Sequence, residues 1–316
     1  MRVDIQDFEA CGRSGLYYGG NGGRKEGVVW NGEYWIAKFP SLHVGAAGDV
    51  PSINTAPISE WLGSHVYEML GVPVQKTVLG VRDGGIVCAC KDFTMPGRRL
   101  VSFHDLRNTL SDDEEGFVES PSAGSGMVLS DVLMGIDRLP ELREIPGVKE
   151  RFWRMFVTDA FIRNIDRDNT NWGILVAPGT RSALAPVFDN ADSFNRKRTE
   201  AAIERVLSDP QAVENDARDV RSCFAQDSGK PILPLEFMEC GATPECIRAL
   251  DWFMERWDFE RFDSLLDGIP EETHGIKVIP RRYKEYRHRV IECRYHEVFA
   301  GLWRKLHGNV IPMGFR

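Results

Sequence analysis

The chain has 316 residues, of which 42% are hydrophobic and 27% charged, a composition that supports one large domain or two lobes with their own cores and excludes a disordered or fibrous chain. A formal net charge of −8 with a pI near 5.5 excludes a chain-wide nucleic-acid surface. The first residues carry acids where a secretory signal has an apolar run, and no stretch approaches the ~20 apolar residues of a membrane span, so a cytoplasmic protein is expected.

The N-terminal third has the texture of strands. In "EGVVWNGEYWIAKFP" the Asn31-Gly32 pair stands between two apolar, aromatic runs, a hairpin signal because both central residues of a type I′ turn need positive φ. Just before it, "YYGGNGGRKEG" is glycine-rich enough for close backbone approach to phosphates, although it fits neither a Walker A nor a clean G-x-G-x-x-G register. Next comes an amphipathic helix in "NTAPISEWLGSHVYEMLGV": Thr55 is placed to cap it, Pro57 suits its first turn, and Gly71 ends it. "VPVQKTVLGV", "RDGG" and "GIVCACKDF" form a second hairpin. The first ~93 residues are therefore expected to be a small antiparallel sheet with one helix.

From Phe103 helices and loops take over. "SDDEEGFVESPSAGSG" is an exposed polar loop, and "GVKERFWRMFVTDAFIRN" a largely buried helix. The expected division is a β-rich lobe, residues 1–93, and a mainly helical lobe, residues 94–316. Near the end, Arg281 to Leu306 hold eight Lys/Arg against three Glu at helical apolar spacing, read as a core-packed helix with a solvated basic face rather than a nucleic-acid contact. Seven scattered cysteines without a C-x-x-C pair disfavour a disulfide framework or structural zinc.

The chemistry concentrates in "NIDRDNTNWGILVAPGTRSALAPVFDNADSF". Short apolar runs flank a turn at Pro178 and Gly179, so a hairpin brings Asp189 back to the end where Asn171 lies. A carboxylate and an amide oxygen at a hairpin mouth suit Mg²⁺ together with substrate phosphates, and Asp166, five residues upstream of Asn171, can orient a hydroxyl and accept its proton. Lys38 shares a strand face with Ile36, the pattern of a phosphate-binding lysine beside an adenine-facing apolar residue, and Glu60 on the next helix can pair with Lys38. The same residues have plainer readings: each Asp or Asn alone suits an Asx turn, and Glu60 suits a first helical turn. A calcium loop starting at Asp166 fails because Asn171 stands where glycine is wanted and Ala177 where glutamate is. Neither H-E-x-x-H nor G-x-S-x-G occurs.

"NIDRDNTN" with "VFD" downstream, "KF" on a hairpin strand and "SEW" on the next helix resemble the HipA-like serine/threonine kinases, and the glycine-rich phrase with "DRxxxNWG" is most similar to the CtkA-type branch. The resemblance implies an α+β, bilobal protein-kinase-like and PI3K-like fold that uses ATP and Mg²⁺ to phosphorylate a Ser/Thr hydroxyl of a protein. It implies Asp166 as base, Asn171 and Asp189 as metal ligands, and Lys38 on the phosphates with Glu60 as its partner. Gly20, Asn21, Gly22, Gly23 and Lys25 would form the nucleotide loop, and Cys90, Lys91, Asp92 and Phe93 the adenine connector beside Ile36. It further implies autophosphorylation near the loop, with Ser14, Tyr17 and Tyr18 as candidates, and an antitoxin-like regulatory protein as a partner. Two departures stand out: Asp168 replaces a histidine of many members, and the ~18 residues before the loop leave no room for the extra N-terminal domain of toxin members. The rival readings are a small-molecule or phosphoinositide-type kinase and a nucleotide-binding pseudokinase module.

Overall fold

The structure, a computed structural model, describes residues 2–19, 23–40, 55–108, 127–240 and 242–308. The chain divides into two compact units, each made of separated stretches: Met1–Phe93, Asn190–Asp219 and Trp257–Val298 in the first, Thr94–Asp189, Val220–Arg256 and Phe299–Arg316 in the second.

The first unit is built on a five-stranded sheet of order β1-β4-β5-β3-β2, from β1 (Gln6–Asp7), β2 (Lys25–Trp30), β3 (Glu33–Lys38), β4 (Thr77–Arg82) and β5 (Gly85–Lys91). Asn31 and Gly32 have φ of 50° and 73°, and Asp83 and Gly84 have 52° and 69°, so both expected hairpins close through paired positive-φ residues. The sheet is not wholly antiparallel as expected, because β1 runs parallel to β4 with Gln6 opposite Gly80. A two-residue strand carries no alternation from which this could be read. Phe8, just after β1, lies over Gly80, where a Cβ would come within 2.2 Å of its ring. Phe8, Val28, Trp35, Ala37, Val87 and Ala89 form the core of this sheet.

Helix α1 (Ala56–Met69) lies on β4 and β5 with Ile58, Trp61, Leu62 and Val66 buried, each large apolar side chain contributing about 1.5–3 kcal/mol. Thr55 sits at its N-cap but its side chain does not cap; its Oγ1 instead donates to the Arg196 carbonyl at 3.1 Å. The unit also contains α6 (Glu200–Leu207), α7 (Pro210–Arg218), α10 (Phe259–Gly268) and α11 (Arg281–Cys293), the last running on as a π-helical turn, Arg294–Phe299. The basic face expected on α11 is partly turned inward, since Lys284, Arg287 and Arg294 are buried. Lys284 Nζ donates to the Asp267 and Ile269 carbonyls and Arg294 to those of Asp216 and Ala217, so two of the cations cap the C-terminal carbonyls of α10 and α7.

In the second unit, β6 (Arg99–Ser102), β8 (Gly173–Val176) and β9 (Ala183–Leu184) form a three-stranded antiparallel sheet with β8 central. The β8–β9 hairpin is the one expected around Pro178 and Gly179, with Gly179 at φ 72°. A Cβ on Gly173 would stand 2.1 Å from the Val101 carbonyl oxygen, so β6 approaches β8 at a distance only glycine permits. The remaining elements are α2 (Phe103–Arg107), α3 (Leu129–Arg138), α4 (Pro140–Arg143), α5 (Val148–Ile162), α8 (Pro234–Cys240), α9 (Pro244–Arg256), α12 (Ala300–Leu306) and a short parallel pair, β7 (Met127–Val128) with β10 (Phe224–Ala225). Buried α5 packs on α9, Phe161 meeting Phe253 at 4.7 Å between ring centroids. The expected polar loop, residues 111–126, lies outside the described residues. No helix among the described residues is long and apolar enough to cross a membrane.

Candidate active site

In the first unit, Lys38 ends β3 and lies opposite Cys88 in the ladder, as Ile36 lies opposite Cys90. Its Nζ donates to Glu60 Oε2 at 2.8 Å, Glu60 being wholly buried and the Lys38 side chain 13% exposed. The ammonium is therefore anchored by Glu60. The other oxygen of Glu60 accepts the N–H of Asn190 at 3.1 Å, and Asn190 Nδ2 donates to Ser64 Oγ at 3.0 Å, one turn further along α1. Gly63 lies between these contacts, where a Cβ would come 2.8 Å from Asn190 Cβ. Burial pushes the Cys88 thiol well up, which leaves it an inert neighbour of the pair.

Gly20, Asn21 and Gly22 lie outside the described residues; Gly23, which follows them, has φ 79°, a conformation glycine adopts at no steric cost. Lys25 donates to the Gly19 carbonyl at 3.1 Å and lies opposite Lys38 in the ladder. In the expected connector, Cys90 is buried, Lys91 pairs with Glu33, and Phe93 is half-buried. Asp92 turns inward: it is 6% exposed and its Oδ2 accepts the Tyr18 hydroxyl at 2.8 Å. Burial and then this bond hold the Tyr18 phenol well above its ordinary pKa. Tyr17 is fully exposed, and Ser14 Oγ accepts the Leu16 N–H at 3.2 Å.

In the second unit the loop after α5 is organised by a residue that the sequence reading passed over. Arg167 is 3% exposed and donates through Nε to Asp159 Oδ2 at 2.9 Å and through Nη2 to Oδ1 at 3.3 Å. Its Nη1 donates to the Asn171 carbonyl at 3.1 Å and also to that of Phe188. One guanidinium thus fixes the backbone at Asn171 and at the residue preceding Asp189, which brings the two stretches to the same point. Asn164 completes the arrangement by donating to Asp159 Oδ1 at 3.0 Å. The available signal was a lone acid inside the apolar run "FVTDAFI" and an arginine eight residues later, a charge pair that burial would require.

Around this anchor Asp166 is exposed, and its backbone carbonyl accepts Asn171 Nδ2 at 2.6 Å, which turns the amide oxygen of Asn171 the other way. Asp168 Oδ1 accepts both the N–H of Thr170 at 2.7 Å and its hydroxyl, so Asp168 closes the loop as an Asx turn. Asp189, half-buried, has φ 59°, a left-handed conformation that aspartate tolerates better than most residues. An amide oxygen and a carboxylate on backbone held by one buried arginine are hard donors of the kind Mg²⁺ takes alongside water and phosphate. The donor set therefore fits that ion.

No family model matches the chain. The serine/threonine-protein kinase CtkA of Helicobacter pylori (strain J99 / ATCC 700824) is 30% identical over 288 residues, which cover 89% of this chain and 82% of that protein. The crystal structure of a Helicobacter pylori proinflammatory kinase CtkA is similar with a TM-score of 0.79 at 27% identity, covering 97% of this chain and 100% of that one. A complex of HipA, HipB and operator DNA from Shewanella oneidensis MR-1 aligns over 93% of this chain and 70% of that one, at 12% identity and a TM-score of 0.45.

Proposed function

Because the chain belongs to the CtkA-type serine/threonine-protein kinases, we propose that it transfers the γ-phosphate of ATP, with Mg²⁺, to a Ser or Thr hydroxyl of a protein through the residues described above. The observation that carries this reading is the Lys38–Glu60 ion pair, 2.8 Å long, between a sheet strand and the helix behind it. Phosphoryl transfer requires a cation held where the phosphates lie, and the Lys38 ammonium, anchored by Glu60, supplies one.

In this reading the chain has a bilobal, PI3K-like fold, with residues 1–93 as the small lobe and 94–316 as the larger one, and it works in the cytoplasm. Glu60 orients Lys38, and Lys38 fixes the phosphates. Backbone of the loop that includes Gly20, Asn21, Gly22 and Gly23, with Lys25, covers them, while Ile36 and the segment Cys90, Lys91, Asp92, Phe93 receive the adenine. Asn171 and Asp189 would hold Mg²⁺, which supplies charge neutralisation between the phosphates. Exposed Asp166 accepts the proton of the attacking hydroxyl, and Asp168 keeps the loop shaped around it. Because the protein pays for positioning in the ground state, charge stabilisation and alignment dominate the rate. Autophosphorylation is expected near the glycine loop, where Ser14 has the right chemical class of hydroxyl. An antitoxin-like regulator is a further expected partner.

The test is the intact mass of purified protein after incubation with ATP and Mg²⁺, alone and with candidate protein acceptors. A gain of about 80 Da per site on the protein or an acceptor is expected. Stabilisation by nucleotide without any transferred phosphate would contradict the reading.

A further inference from the structure

The segment Asn190–Arg198, which follows Asp189 in the chain, is held at both ends. At its start Asn190 is bound by Glu60 and Ser64 of α1, and near its end the Arg196 carbonyl accepts Thr55 Oγ1. Its middle contains Phe194 and Asn195 at φ 55° and 52°, two successive left-handed non-glycine residues that persist only where the surroundings hold them.

Helix α11 provides that hold from one face. Asn195 Nδ2 donates to the Tyr286 hydroxyl at 2.8 Å, and Tyr286 donates to Asp216 Oδ2 at 2.7 Å. The other oxygen of Asp216 accepts from Arg198, and the Tyr283 hydroxyl donates to the Arg198 carbonyl at 3.2 Å. Arg294 fixes Asp216 itself by donating to its backbone carbonyl at 2.8 Å. One turn of α11 further on, Arg287 is 2% exposed, donates to Ser59 Oγ at 3.2 Å beside Glu60, and lies 5.7 Å from the centre of the Phe194 ring. A ring of bonds thus runs from Asn195 through Tyr286 and Asp216 to Arg198 and back along the segment. Burial first and then the Asp216 carboxylate push the Tyr286 phenol up to about 12, so it remains a donor at any working pH.

We infer that α11 is a positioning element for phosphoryl transfer, holding the segment Asn190–Arg198 in its working place through the Tyr286 hydroxyl and the Asp216 carboxylate. This rests on Asp189 being a metal ligand, because the segment matters to the reaction as the continuation of that residue.

The experiment is steady-state phosphoryl transfer by the full-length chain carrying Tyr286→Phe or, from the other side of the same bond, Asn195→Ala. Removing the hydroxyl is expected to lower kcat about ten- to a hundredfold by misplacing the segment, and to shrink the Mg²⁺-dependent part of the ATP-induced rise in Tm while leaving its Mg²⁺-free part unchanged. A wild-type kcat in both variants, or a loss of the Mg²⁺-free ATP stabilisation in step with kcat, would overturn the role. Asp189→Ala in the same assay separates the two ideas. If it is inactive while Tyr286→Phe is fully active, the positioning role alone fails; if it is fully active, the metal-ligand reading fails and takes the positioning role with it.

Discussion

Two sets of charged residues are prepared in opposite ways. In the first unit the functional groups hold each other: Lys38 and Glu60 form a mostly buried ion pair whose acid is fully occupied, by the ammonium and by the Asn190 N–H. In the second unit a different pair, Arg167 with Asp159, binds the backbone carbonyls of Asn171 and Phe188, in the two stretches that carry exposed Asp166 and half-buried Asp189. A buried ion pair is expensive to form and worse to leave half-made, so each pair resists rearrangement. In the first it fixes a cation; in the second it fixes the frame on which anions are mounted.

The sharpest way to break this comparison is to remove an anion and leave its frame. Asp166→Ala should reduce phosphate transfer on the order of a thousandfold or more, the upper part of what a general base contributes, with Tm little changed because the side chain is exposed. Removing the frame should do the reverse. Arg167→Met leaves Asp159 buried without its partner and should cost about 3–5 kcal/mol in denaturant unfolding. Pairing it with Asp159→Leu should recover much of that stability but not the activity, since the Arg167 bonds to the Asn171 and Phe188 carbonyls are lost.

Gly173→Ala strikes the same frame from the β6 side. A methyl 2.1 Å from the Val101 oxygen should destabilise by about 1–3 kcal/mol, measured by chemical denaturation. The smallest effect is expected at the sheet of the first unit, where Glu26 is bound by Arg82 at 2.9 Å and by Arg13. The Arg82 bond, ahead of the opposing effect of burial, lowers the Glu26 carboxyl from 4.5 to about 2. Its stabilisation is therefore complete above the unfolded value of 4.5 and is lost as pH falls from there toward about 2. Glu26→Gln should flatten that part of a stability–pH curve and leave the neutral region nearly parallel to wild type.

What the sequence made legible was local. Asn31-Gly32, Asp83-Gly84 and Pro178-Gly179 each announced a hairpin because turn geometry is decided by the turn residues themselves, and the α5 pattern was long enough to show its period. The hidden parts depend on partners remote in the chain. β6 pairs with a strand some seventy residues later, and β1 is too short for any alternation. The cations of α11 looked solvent-facing because their acceptors are carbonyls at the ends of other helices, which exist only once the chain has folded. In the site, "DRDN" displayed the outward acids, while the arginine among them had its role set by Asp159 on the preceding helix. Asp168, which stands where many members have a histidine, accepts two bonds from Thr170, an arrangement that depends on the folded loop.

The central claim is that Asn171 and Asp189 hold Mg²⁺ against the nucleotide that Lys38 receives. Its most direct measurement is the rise in Tm produced by ATP, with and without Mg²⁺, in the wild type and in Asp189→Ala. The account predicts a large Mg²⁺-dependent increment in the wild type that disappears in Asp189→Ala, while the smaller Mg²⁺-free effect of ATP persists in both. An undiminished Mg²⁺-dependent increment in Asp189→Ala would contradict it.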